Sequence, residues 1–328
     1  MRSKVQRQRK WLLAGVVVAI ATAFLTIPTG SANADPANVC IRDYPGDPCT
    51  LPTAPPGSSS FWSSPDIVVC SNPAPCTSDT SVTPGGTYYL DVTLRNAGGT
   101  VNGTLSLFVT NSSMVSTPTS PPWTNFATVP DSLTTGTHTL IVPWTAPASI
   151  TPGQHFCLMA YWTSPTDLVT SYPDTASQVW FNRNVAQHNV VMANPWGTGH
   201  VVLPVEVRSA TAQASAAGLA IVPSGTPFVG TGTLVIDLGQ TLAQRWIASG
   251  AQGKGIERVG ATQVQITNPQ QAQILGLKLD PGEDFTISLD FGAGSAPAGK
   301  QYTEELVQTD SQGNVQGGVE YRLTSATK

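Results

Sequence analysis

The sequence predicts an all-β chain: two tandem β-sandwiches behind a cleaved export segment. Three observations carry that prediction. Short stretches alternate apolar and polar residues with a period of two, the repeat of a strand with one buried face. Thirty glycines and twenty-seven prolines punctuate 328 residues of which only 11% are charged, a composition that builds many short strands joined by turns. The first 34 residues stand apart from both patterns.

That head orders its residues as a secretory signal does. Arg2, Lys4, Arg7, Arg9 and Lys10 are basic, Trp11 to Ile27 is apolar, and Pro28 and Gly30 lead to Ala32-Asn33-Ala34. The small-residue site and the helix breakers favour cleavage before Asp35 over an uncleaved anchor. No cysteine directly follows the cut, so a lipid anchor is not expected, and no second apolar run is long enough to cross a bilayer. Five of the sixteen basic residues and none of the twenty acidic ones lie in the head, so eleven face twenty after cleavage, a net charge of −9. An acidic surface repels phosphate backbones, which argues against nucleic acid as a partner.

Residues 35–60 are rich in Pro, Gly and Ser and read as a leader outside the core. Five cysteines in a secreted chain suggest two bridges and one leftover. Cys40 and Cys49 bracket one turn-rich loop and Cys70 and Cys76 another; short Pro-containing loops close readily. Local pairing, Cys40–Cys49 and Cys70–Cys76, leaves Cys157 as the free thiol. A zinc site is the weaker rival, since no C-x-x-C or H-x-x-x-H pair supplies close ligands.

A first domain is expected over 61–193. In Tyr88–Arg95 the residues Tyr88, Leu90, Val92 and Leu94 alternate with Asp91, Thr93 and Arg95, between Pro84-Gly85-Gly86 and Asn96-Ala97-Gly98-Gly99. Leu105, Leu107 and Val109 form a second inward set, and Leu140, Val142 and Trp144 a third. Residues 154–163 are apolar on both faces, as in a strand covered on both sides.

The second domain, 194–328, begins at the turn Asn194–Gly199. Strands are expected at His200–Arg208, Gly218–Val222, Thr233–Leu238, Ala261–Thr267, Asp284–Phe291, Lys300–Thr309 and Gly318–Thr324. In the last, Val319, Tyr321 and Leu323 point inward and Glu320 and Arg322 are expected in water. Two short helices are expected: Thr241–Ser249, ending at Gly250, and Asn268–Leu275, where Asn268 can cap and Pro269 can open the first turn. About seven short strands per half point to sandwiches of immunoglobulin type, with a barrel or one larger sandwich as alternatives.

The first half resembles the secreted bacterial immunoglobulin-like modules related to CARDB (cell-adhesion-related) domains. The resemblance rests on Trp62-Ser63-Ser64-Pro65-Asp66-Ile67-Val68-Val69, on Pro84-Gly85 before the strand ending Leu94-Arg95-Asn96-Ala97-Gly98, on Cys157-Leu158-Met159-Ala160 and on Asn182 to Val190. It implies an extracellular β-sandwich with an adhesion or accessory binding role, and transfers no catalytic residue.

No catalytic motif assembles in the sequence, and no cofactor is expected. The histidines are His138, His155, His188 and His200, and no G-x-S-x-G elbow accompanies them. Asp280, Glu283 and Asp284 are weak calcium candidates, crowded acids without EF-hand spacing. Cys157 reads as a small buried hydrophobe. Trp123 and Trp196 sit in Pro-rich turns and are the candidate ligand-stacking residues. The expectation is a secreted, non-catalytic binding or adhesion protein with an extracellular protein or glycan as partner. A carbohydrate-binding accessory to a secreted hydrolase and a structural spacer are the alternatives.

Overall fold

The computed structural model describes residues 39–50, 60–111, 123–148, 156–165, 179, 182–209 and 214–325, all within the compact unit Asp35–Lys328. Residues 1–34, where an export signal is expected, and His155 lie outside the described residues. No helix among the described residues is long and apolar enough to cross a membrane.

The fold is all-β, built from two sandwiches. The first contains β1 (Val39–Cys40), β2 (Ile67–Cys70), β3 (Thr87–Asn96), β4 (Val101–Asn111), β5 (Thr124–Leu133), β6 (Gly136–Thr145), β7 (Phe156–Thr163) and β8 (Val185–His188). One sheet centres on β3, with β6 along one edge and β1 and β2 end to end along the other. The facing sheet runs β5-β4-β7-β8. Leu90, Val92 and Leu94 pack across to Leu105, Leu107, Leu158 and Trp162, the inward set that alternation defines.

The first described residues belong to this core, contrary to the expectation of a leader outside it. Val39 and Ile41 are fully buried, and β1 pairs with the end of β3. Two buried apolar residues repay the ordering of a short strand once Cys40–Cys49 closes the loop behind it. Cys70–Cys76 is the second bridge, and Cys157 is buried and belongs to neither bridge.

The second sandwich contains β9 (Val190–Ala193), β10 (His200–Arg208), β11 (Ser215–Pro223), β12 (Thr233–Asp237), α1 (Gly239–Ala248), β13 (Gly253–Lys254), β14 (Ile256–Arg258), β15 (Gln263–Ile266), β16 (Gln273–Leu279), β17 (Asp284–Gly292), β18 (Gln301–Thr309) and β19 (Val315–Thr324). Its sheets run β10-β17-β12-β15-β14 and β13-β16-β11-β18-β19-β9. Every ladder is antiparallel except β19–β9, which is parallel. Val205, Ile236, Leu289 and Phe291 face Leu219, Leu306, Val319 and Leu323 across the core. The helix α1 buries Leu242, Ala243 and Trp246, one stripe at helical spacing.

The expected helix at Asn268–Leu275 is a turn followed by a strand. Asn268 does cap, but only the turn: its side chain accepts from the Gln270 N–H at 3.1 Å. An eight-residue helix cannot sustain itself without packing. Ile274, Leu277 and Leu279 gain burial instead by pairing β16 with β11. Gly276, at φ +76°, sits where the register slips, so the buried positions are spaced by three and then by two. That slip hides the strand period.

Candidate functional site

The two sandwiches meet through the outer face of the six-stranded sheet. Alternation along β18 and β19 sends Leu306, Val319, Tyr321 and Leu323 into the core and turns Glu305, Val307, Gly318, Glu320 and Arg322 the other way. The sequence expectation left Glu320 and Arg322 in water. The first sandwich covers them, and Glu320 is only 7% exposed. Phe61, Trp62, Met159 and Tyr161 form an apolar cluster there with Val307, which explains why β7 is buried on both faces. Trp62 lies so close to Gly318 that a Cβ there would stand 2.5 Å from the indole.

A single residue, Asn189, carries the chain from β8 into β9. It is fully buried. Its N–H donates to the Trp62 carbonyl at 2.6 Å, its carbonyl accepts from the Glu320 N–H at 2.9 Å, and its side-chain amide donates to the Gly318 carbonyl at 3.2 Å. The passage between sandwiches therefore falls at Asn189, and Asn194–Gly199 joins two strands of the second sandwich.

Beside Asn189 runs a chain of charged groups. His188 places Nε2 2.9 Å from Asp79 Oδ1 and Nδ1 3.0 Å from the Ser64 carbonyl. Arg322 donates to Asp79 Oδ2 at 2.6 Å and to Glu320 Oε1 at 2.5 Å. Burial pushes the Asp79 carboxyl upward. His188, Arg322 and the Val69 N–H outweigh it and hold the group at about 2. Glu305 stands directly across the ladder from Glu320, and Ser60 donates to its carboxylate at 2.6 Å. Burial pushes Glu305 up to about 7; the Glu320 charge adds to the rise, while the Ser60 and Ser224 hydroxyls oppose it.

The sequence-predicted site residues are not brought together. Trp123 is half-buried against the junction cluster, and its indole N–H has no partner among the described residues. Trp196 lies in a 3-10 turn, Pro195–Gly197, where it donates to the Gly294 carbonyl at 2.9 Å and packs 5.5 Å from the Tyr302 ring. Arg245 holds Glu283 through two hydrogen bonds, 2.5 and 2.9 Å, and approaches Asp280 at 3.7 Å. Asp284 pairs with Arg208 at 3.2 Å. Each calcium candidate thus faces a guanidinium. His138 is half-buried with Nε2 2.8 Å from the Thr134 carbonyl, and His200 is exposed, 3.2 Å from Asp290. Cys70, Cys76 and Asp91 lie at metal-ligand separations, but the two sulfurs are bonded to each other.

Sequence reasoning missed a groove over β11. Ala217, Leu219 and Ile221 point into the core, which leaves Ala216, Gly218 and Ala220 as small residues on the outer face. A hollow of about 330 Å³ forms over them, walled by Gln252, Gln273, Thr309 and Ser311. A second, of about 220 Å³, shares Ala216, Thr309 and Ser311 and adds Gln312 and Gln316. Gly218 keeps the floor flat, since a Cβ there would meet Thr309 Oγ1 at 2.6 Å. The Asp310 carboxylate is engaged in its own loop, accepting from Gln312 and Asn314. The walls therefore set neutral amides and hydroxyls beside apolar surface that includes Leu275, and Arg208 borders the second hollow. The signal was present in the sequence as three small residues, Ala216, Gly218 and Ala220, at successive outward positions of one strand.

Neither a protein-family profile nor a curated protein matches the chain. Among solved structures it is similar to the collagen adhesin of S. aureus, at 10% identity and TM-score 0.26, over 79% of this chain and 92% of that one. It is also similar to the calcium binding domain CBD12 of CALX1.1, at 8% identity and TM-score 0.18, over 67% and 74%. A third likeness is to Escherichia coli alpha-2-macroglobulin, at 8% identity and TM-score 0.23, over 77% of this chain but 23% of that one. Likeness this distant identifies no ligand and no activity.

Proposed function

We propose that the protein works outside the cell as a non-catalytic binding or adhesion protein and holds its partner on the groove over β11. The groove is the observation that carries this reading. The larger hollow reaches the size of a small ligand site, and the amides and hydroxyls on its wall both donate and accept hydrogen bonds. Such a wall suits a neutral, hydroxyl- or amide-rich partner, either an extracellular glycan or a protein. The resemblance of 61–193 to cell-adhesion-related modules supports the same role. Two disulfides suit an oxidising compartment.

The test is a glycan array together with pull-down from envelope fractions, using the mature chain. Ala216→Trp places an indole on the groove floor and is expected to abolish capture while leaving the melting transition in place. Capture that survives Ala216→Trp but vanishes in Trp123→Ala or Trp196→Ala moves the site to the tryptophans. Turnover in a broad hydrolase screen overturns the non-catalytic role.

A further inference from the structure

We infer that the junction between the sandwiches is a proton-controlled latch, closed while the buried Glu305 opposite Glu320 holds its proton and loosened when that proton is lost. Each ring nitrogen of His188 faces an acceptor, the Ser64 carbonyl on one side and the Asp79 carboxylate on the other. Both bonds form only when both nitrogens carry hydrogen.

Glu305 supplies the controlling proton. It is 3% exposed and directly opposite Glu320 in the β18–β19 ladder, a placement that disfavours two charges. The charged and titratable groups facing this cluster are Asp79, His188, Glu305, Glu320 and Arg322, joined by the Ser60 and Ser224 hydroxyls. With the Glu305 proton present, two carboxylates, Asp79 and Glu320, share Arg322. With it gone, a third carboxylate faces the same guanidinium inside the junction. The proton is bound in the closed state, so raising the pH opens the latch. For Glu305 the folded-state value lies above the ordinary 4.5, so its contribution is complete below 4.5 and is lost as the pH rises towards 7.

Amide hydrogen exchange reads the latch directly, because the Glu320 N–H bonds to the Asn189 carbonyl across it. With the full mature chain, and after correction for intrinsic exchange rates, protection of that amide is expected to fall about tenfold or more between about pH 5 and pH 8. Glu305→Gln, which preserves shape, is expected to remove most of the fall. Protection that does not change with pH overturns the proposal, as does an equal fall in Glu305→Gln. Should that variant fold poorly, the wild-type midpoint decides: near 7 supports the latch, and near the ordinary carboxylate value of 4.5 overturns it.

Discussion

Replacing Gly318 by alanine tests whether the two sandwiches are held together by close packing. The added Cβ would lie 2.5 and 2.6 Å from Cε2 and Cζ2 of Trp62 and 2.9 Å from the Leu306 carbonyl oxygen. All three separations are well inside van der Waals contact, and two rigid bodies must part to relieve them. Trp62 is 2% exposed and tied through its carbonyl to Asn189, so its ring cannot swing into solvent. Overpacking a well-filled contact costs about 1–3 kcal/mol. For a chain of this size that is a fall of roughly 2–4 °C in melting temperature per kcal/mol. Calorimetry measures the fall, and a double-mutant cycle with Trp62→Leu apportions it. Trimming the indole should recover only part of the loss, because the Leu306 carbonyl remains in the way. A Gly318→Ala protein within about 0.5 kcal/mol of wild type would falsify the packing argument.

Two further outcomes follow from buried groups. Asp79 is held at about 2, below the ordinary 3.8, so its stabilisation is present above 3.8 and disappears as the pH falls towards 2. At 1.36 kcal/mol per unit this is worth about 2 kcal/mol at neutral pH. Urea unfolding of Asp79→Asn should therefore show a loss at pH 7 that largely vanishes near pH 2.5, and an equal loss at both would contradict the pairing. Cys157 is completely buried. A thiol reagent should label it slowly in the native protein and promptly in denaturant, and rapid native labelling would count against its place in β7.

Much of the fold was legible because alternation is a local signal. The inward sets of β3, β6 and β19 need only the chain's own period of two, and the two-faced apolar run of β7 announced cover on both sides. Alternation does not say what covers the second face. Glu320 and Arg322 read as solvent-facing because charged residues usually are, and only the approach of Trp62 and Asp79 from the other sandwich buries Glu320 and half-buries Arg322. The bulge at Gly276 breaks the period in β16, so the strand there escaped notice. The short β1 was lost among turn residues, because two buried positions make no period. The junction is a property of residues far apart in sequence, such as Asp79 and Arg322, and neither half records its partner.

The parallel pairing of β9 with β19 gives the protein a mechanical character. The first sandwich is attached at the N-terminal end of β9, while β19 leads away at its C-terminal end. A pull between those two points slides parallel neighbours past each other, so the bonds from Glu320–Val190 to Leu323–Ala193 are strained together rather than peeled in turn. Single-molecule stretching should then show one high-force event for parting the sandwiches, and a gradual low-force separation would contradict the shear geometry. A four-residue strand thereby sets how tension passes from one sandwich to the next.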